Sequence, residues 1–473
     1  MICTIVLCSL WAQTATSQGS FDPRTIPADQ RIAYVNRLGD RSTGPNAAEH
    51  YRAAFNAYKT VLDLIDKSVR AMETEQRRNA TAPYYEVFDN LRQLALRRTW
   101  SDEQARVVRE WLRANEQTLA AIEAAARCER FHEALTAASS RLYEADVMPV
   151  RHVQLGVLVA VQARELALRG QWDEAWRWHA RYHRMATHLY GLPFDIQHMV
   201  AIRLEREAHE QFRALLRDCP ASDLNAIWRP IAADEKLRRP EAHADDGEAL
   251  FAWDCVEALH EWADDESRHP RLRQTIEFAL KPIEDIERLY EGRPPFADVD
   301  GLKQALRTSN LEDAWKVRGV LHRLYDEWDR KPFHEAWREV TAFRERYCEA
   351  AKAEPAEALY GCGGLVTVDR MRLLRATVEA SRAASQVLVA CHEYRRQHGR
   401  WPRDLDELVP ASLSSVPLDP FSGKALIYRL RDGDGETGFV LYGVGQNQQD
   451  DGGVSDAEDL TKGDTVFWPV PVR

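Results

Sequence analysis

The chain has 473 residues, 45% hydrophobic and 29% charged, a globular rather than disordered balance with length for roughly two to four domains. Its net charge is −11 with an isoelectric point near 5.8, so its surface repels phosphate backbones and nucleic acid is not expected as a partner. No run of about 18 apolar residues occurs, which excludes a conventional transmembrane helix.

Residues 2–12 are mostly apolar and uncharged, and Ala15, Thr16 and Ser17 supply small residues of the kind a signal peptidase needs. Residues 1–17 therefore read as a signal peptide lacking its basic start, and the mature chain is expected to be extracytoplasmic, periplasmic or secreted. Leu7 before Cys8 disfavours lipid attachment. Beyond that segment lie Cys128, Cys219, Cys255, Cys348, Cys362 and Cys391, with no CxxC pair among them. Oxidation would permit disulfides, but buried thiols are the expectation.

Helical periodicity runs from about residue 29 to 397, and 29–353 is expected to form a body of stacked antiparallel helical hairpins. Tyr51, Phe55, Tyr58, Leu62 and Ile65 make one stripe of an amphipathic helix. Ser101 with Gln104 reads as a capping box opening a helix through Val108, Trp111, Leu112, Leu119 and Ile122. Breaks are expected at Met148-Pro149, Gly191-Leu192-Pro193, Arg239-Pro240 and Gly292-Arg293-Pro294-Pro295. The segment Gly170-Gln171-Trp172-Asp173-Glu174-Ala175, with Leu166 one turn earlier, resembles a tetratricopeptide-type hairpin. Tyr182 stands where that family prefers a small residue, and no second copy follows, so one such hairpin is expected and not a repeat array.

Residues 354–368 read as a linker in which Gly361-Cys362-Gly363-Gly364 forms a hinge; the Lys-Ser/Thr of a phosphate cradle is missing. A small α+β module of about three antiparallel strands is expected over 369–473, giving a mainly α fold overall. Its helix ends at His398-Gly399-Arg400-Trp401-Pro402 and a short helix covers 404–409. Strand signals follow at Ala425–Tyr428, Phe439–Tyr442 and Val466–Trp468, with Gly433-Asp434-Gly435 as a hairpin turn. The stretch 446–464 carries Asn447, Asp450, Asp451, Asp456, Glu458, Asp459 and Asp464 among glycines, oxygen chemistry that suits calcium or, equally, a solvated acidic turn.

Tyr394, Gly399, Trp401-Pro402, Leu405, Leu408, Val416-Pro417-Leu418-Asp419-Pro420-Phe421, Gly423, Tyr428, Phe439, Tyr442, Gly445 and Asp450-Asp451-Gly452-Gly453 occur in an order that resembles the globular domain of type II secretion major pseudopilins. The resemblance implies a helix entering a three-stranded sheet and a calcium-binding loop after the second strand. Carried over by position, Asn447, Asp450, Asp451 and Asp464 are the implied side-chain ligands. Gly443 replaces that family's usual serine, and Asn447 stands where an aspartate is commoner. The apolar helix that packs pseudopilins into filaments is missing, since 369–397 carries Arg370, Arg372, Arg375 and Arg382.

Catalytic motifs are sparse. His132-Glu133, His209-Glu210, His260-Glu261, His334-Glu335 and His392-Glu393 each lack the second histidine of a zinc-peptidase helix. His179 and His183, four apart, can share a helix face, but no third ligand is apparent; packing is the plainer reading. Clusters such as Asp264-Asp265-Glu266 and Glu284-Asp285-Glu287 read as solvated faces. The expected function is a non-enzymatic scaffold binding a protein partner in the cell envelope, with a calcium-stabilised module. The rival expectation is an extracytoplasmic hydrolase of peptide or glycan with a cleft where His179, His183 or paired carboxylates converge.

Overall fold

The structure, a computed structural model, describes residues 21–39, 44–137, 141–145, 149–219, 224–236, 242–270, 272–273, 276, 299–351, 360, 363–431, 438–456 and 462–469. The expected signal peptide, the Arg239-Pro240 and Gly292–Pro295 breaks, the Glu284-Asp285-Glu287 cluster and the Gly433–Gly435 turn lie outside these residues. Among the described residues fifteen α-helices precede one three-stranded antiparallel sheet, as the periodicity predicts. The helices are α1 Arg31–Gly39, α2 Ala48–Ala57, α3 Lys67–Arg70, α4 Thr74–Leu94, α5 Asp102–Ala114, α6 Glu116–Ala126, α7 Val150–Leu168 and α8 Trp172–Tyr190. They continue as α9 Asp195–Asp218, α10 Leu224–Lys236, α11 Ala242–Asp264, α12 Val299–Thr308, α13 Leu311–Asp329, α14 Phe333–Ala351 and α15 Gly363–His398.

Two helices are shorter than their stripes suggest. The run from Tyr51 to Ile65 is not one helix: α2 stops at Ala57, Tyr58 is extended, and a 3-10 turn covers Val61–Leu64. Likewise the helix opened by the Ser101–Gln104 capping box, which forms as expected, breaks at Asn115 into α5 and α6. One cause serves both. Asn115, fully buried, accepts from the Lys59 amide at 2.9 Å and donates to the Lys59 carbonyl at 2.9 Å, and Trp111 Nε1 donates to that carbonyl at 2.7 Å. These side chains satisfy an extended backbone that a helix would otherwise have satisfied, so the stripe is interrupted where they bind.

The tetratricopeptide-like hairpin is α7–α8. Gly170 takes φ +76, and the turn closes with Gln171 N–H on the Leu166 carbonyl and Gly170 N–H on the Ala167 carbonyl, both at 2.9 Å. That is a Schellman ending, with glycine at its left-handed position. Tyr182 is accommodated by Gly156 on the facing helix, where a Cβ would lie 2.8 Å from the tyrosine ring and 2.7 Å from Leu204 Cδ2. Gly156→Ala is therefore expected to cost about 1–3 kcal/mol by overpacking, read as a lower denaturant midpoint at unchanged slope. A loss under about 0.3 kcal/mol would mean the tyrosine has room to move.

Two cores form. One runs from Tyr51 and Trp111 through α7, α8 and α9 to Val387 and Leu388 of α15, and onward to Phe439, Leu441 and Trp468 of the sheet. The other gathers Val35, Trp253, Trp262, Leu302, Val317 and Trp328 around α11. Gly363 and Gly364, expected as a hinge inside the 354–368 linker, instead begin α15. The front of α15 packs Met371 and Val378 against Ile202 of α9, and such burial outweighs the helical cost of two glycines. Strands β1 (Ile427–Leu430), β2 (Phe439–Gly443) and β3 (Thr465–Trp468) pair in that order, with a bulge between Leu441 and Tyr442. Trp401 and Trp468 hold His392 edge-on at ring separations of 5.0 and 5.5 Å, which seats the sheet on the end of α15. Cys128, Cys219, Cys255 and Cys391 are thiols, not disulfides.

Candidate functional site

The loop from β2 to β3 is pinched by Asp464 N–H on the Val454 carbonyl at 2.7 Å and a bridge between Ser455 and Gly463. Gly445, Gly452 and Gly453 take φ +67, +78 and +83, turning polar backbone inward. Asp450 Oδ1 accepts from Tyr442 Oη and from the Gly452 amide, each at 2.9 Å, while Oδ2 pairs with Arg429 at 2.9 Å. The Gly452 amide, then Tyr442, hold its carboxyl below the usual range. Asn447 Nδ2 donates to Asp451 Oδ2 at 2.7 Å, and Asn447 Oδ1 accepts from the Gln449 amide at 3.0 Å.

Asp464 differs from the other three. It is 3% exposed, its Oδ2 accepts from the Gly453 amide at 2.6 Å, and its Oδ1 has no hydrogen-bond partner. Burial pushes its carboxyl up, and the charges of Asp450 and Asp451 add to that against the pull of backbone amides. The structure thus places all four expected ligands on one loop. Among the described residues, however, no three His, Cys, Asp or Glu side chains are arranged to hold one metal ion. Glu458 and Asp459 lie outside the described residues.

Gly443, at the serine position, leaves room for a carboxylate that sequence reasoning did not single out as functional. Asp419 is 1% exposed and lies about 3.1 Å from where a Cβ on Gly443 would sit. It accepts from Phe421 N–H at 3.0 Å and from Val444 N–H and Ser422 Oγ at 3.1 Å, tying the Pro-Leu-Asp-Pro-Phe turn to the end of β2. The Asp between two prolines was the available signal.

His179 and His183 do share a face of α8, with ring centroids 4.9 Å apart, and a third histidine, His209 of α9, stands 4.8 Å from His183. Spacing along the chain gave no sign of it, because the two helices meet only in the fold. His179 Nδ1 bonds Gln211 Oε1 at 3.1 Å, and Gln211 Nε2 donates to the Ala160 carbonyl, so that carboxamide has a defined orientation. His209 Nδ1 bonds Ser385 Oγ at 3.0 Å across to α15. All three rings are at most 3% exposed, and burial brings His179 down to about 4. A cavity of about 90 Å³ between Arg92, Tyr182, Glu207, Glu210 and Gln211 lies one hydrogen bond away, but neither His179 nor His183 lines it. Trp176 and Trp178 are buried on the same helix, and Arg181 stacks over Trp178 at 4.4 Å. These groups are packing and hydrogen-bonding elements of the core.

No family model, curated protein or solved structure matches the chain. Among the described residues no helix is long and apolar enough to cross a membrane.

Proposed function

We propose that this chain is a non-enzymatic scaffold of the cell envelope, acting outside the cytoplasm, that docks a protein partner and carries a pseudopilin-like, calcium-stabilised terminal module. The order of parts supports the module: a long helix turns at Gly399-Arg400-Trp401-Pro402, three strands follow, and the acidic loop comes after the second. The apolar stretch at 2–12 supports the compartment. Two continuous helical cores support a scaffold, since they spend many of the chain's aromatic side chains on packing.

Asp464 carries the calcium reading. A carboxylate so buried, with one oxygen lacking a partner and two like charges nearby, is stabilised by a cation more than by any other ligand class. Asp464, Asp451 and backbone carbonyls of the loop would supply oxygens to a hard divalent ion. Asn447 and Asp450 join them if Asn447 turns its oxygen inward and the half-exposed Arg429 swings away from Asp450.

Calcium added to the full-length chain is expected to raise its melting temperature, with stabilisation near 2.7 kcal/mol at a hundredfold excess over Kd. Asp464→Asn, neutral in the same space, is expected to abolish the rise while keeping the fold. The full chain is the right object because α15 shares its core with α9 and the sheet. No shift at millimolar calcium would remove the ion from this reading.

A further inference from the structure

Among the described residues Gln448 is the one non-glycine side chain at positive φ, +57. Left-handed backbone is unfavourable for any residue with a Cβ, so the surroundings must hold it there. Both ends of its carboxamide are held by α14. Oε1 accepts from Arg338 Nε at 3.0 Å, and Nε2 donates to the His334 carbonyl at 3.3 Å. The same end of α14 meets the sheet module twice more. Phe333 lies edge-on to Phe421 at 5.1 Å, and the His334 ring occupies the space where a side chain on Gly423, at φ +69, would have to go.

The position of Gln448 in the loop gives this grip its interest. It follows Asn447 directly and stands two residues before Asp450, inside the short stretch where three of the four candidate ligands lie. Asn447 is bonded to both Asp451 and the Gln449 amide, so the backbone on either side of Gln448 belongs to the same hydrogen-bonded unit as the carboxylates. Asp464, with its buried unpartnered oxygen, faces that unit through the Gly453 amide.

We propose that Gln448 is a latch coupling cation binding in the loop to the docking of α14. This rests on the calcium reading above. A cation drawing Asp451 and Asp464 together stabilises the loop shape in which Gln448 reaches α14, and α14 stabilises the backbone conformation that presents those ligands. The two events favour one loop conformation and therefore each other. Linkage makes the coupling reciprocal: whatever factor α14 contributes to calcium affinity, calcium contributes to α14 docking.

Arg338 is exposed on α14 and touches no candidate ligand, so Arg338→Ala tests the latch from outside the site. It is expected to weaken calcium binding to the full-length protein about fivefold by calorimetry, the low end of known coupling strengths. Calcium is expected to slow amide hydrogen exchange at the start of α14 in the wild type by a similar factor, and not in the variant. Gln448→Gly, which relieves the left-handed strain and removes the grip, is expected to bind calcium while α14 exchange no longer responds. Glu339→Ala, on the same helix but paired with Lys331, is the control expected to leave both readouts unchanged. Calcium binding that Arg338→Ala leaves unaltered, with α14 exchange indifferent to calcium, would overturn the latch and leave the ion site standing. A wild type that binds no calcium would overturn both.

Discussion

Between pH 6.5, the ordinary histidine value, and about 4 the protein is expected to lose stability steeply through four histidines, His152, His179 and His188 buried and His392 packed between Trp401 and Trp468. Burial brings His179, His188 and His392 down to about 4 and His152 to about 3. Each is neutral in the fold at pH 7. In the unfolded chain each regains its ordinary value, so below it the unfolded state binds more protons and unfolding is favoured as pH falls. The contribution is absent above the ordinary value and complete once the folded value is passed. It amounts to a few kcal/mol for each, on the order of 3 kcal/mol, with that of His152 still growing below pH 4. Domains are typically stable by about 5–15 kcal/mol, so together they are of the same order as the stability of a whole domain. Asp218 and Glu261, held below the usual carboxylate range, lose their contribution in the same direction at lower pH; Asp464, pushed up, has the opposite sign.

His152 isolates the effect. Its ring sits among Tyr51, Phe55 and Phe131 at centroid separations of 4.9, 4.9 and 5.3 Å, and neither ring nitrogen has a hydrogen-bond partner. His152→Leu keeps an apolar body of similar size and removes an unsatisfied donor, so a gain of about 1–3 kcal/mol at pH 7 is expected. The gain should grow as pH falls towards 4. Thermal unfolding by circular dichroism from pH 8 to 4 measures both; a variant that tracks the wild type in parallel would mean the ring reaches water.

Arg31→Met is the single substitution expected to cost most, about 3–5 kcal/mol. Arg31 is 2% exposed and bonds Asp254 and Glu257 of α11 at 2.7 Å each, with Asp254 fully buried. Arg141 reaches Asp254 only at 3.5 Å, and the Tyr143 amide gives it one further bond at 2.9 Å. Burial pushes the Asp254 carboxyl up against those partners, so losing Arg31 leaves a charge with too little opposing it. Arg31→Met/Asp254→Leu is expected to recover more than half of the loss, because the cost lies in the stranded charge and not in the missing attraction. Urea unfolding of the two variants decides it: a single variant within about 1 kcal/mol of wild type would show that water reaches Asp254.

The sequence by itself determined the elements whose signals are local. The Ser101–Gln104 box, the Gly170 turn, the Gly191 and Gly399 helix ends and the second and third strands follow from residues within a turn of one another and formed where those residues stand, while the first strand, expected at Ala425–Tyr428, forms two residues later at Ile427–Leu430. Asn447, Asp450, Asp451 and Asp464 fall on one loop for the same reason, because a loop brings chain neighbours together whatever the rest of the fold does. What only the tertiary structure decided depends on partners far along the chain. Asn115 broke a helix because Lys59 needed its carboxamide, 56 residues away. His209 joined His179 and His183 because α9 packs on α8, and Gln448 found Arg338 across 110 residues. Periodicity records which face of an element is apolar; it carries no information on which other face will meet it, and polar groups are satisfied by whatever that meeting supplies.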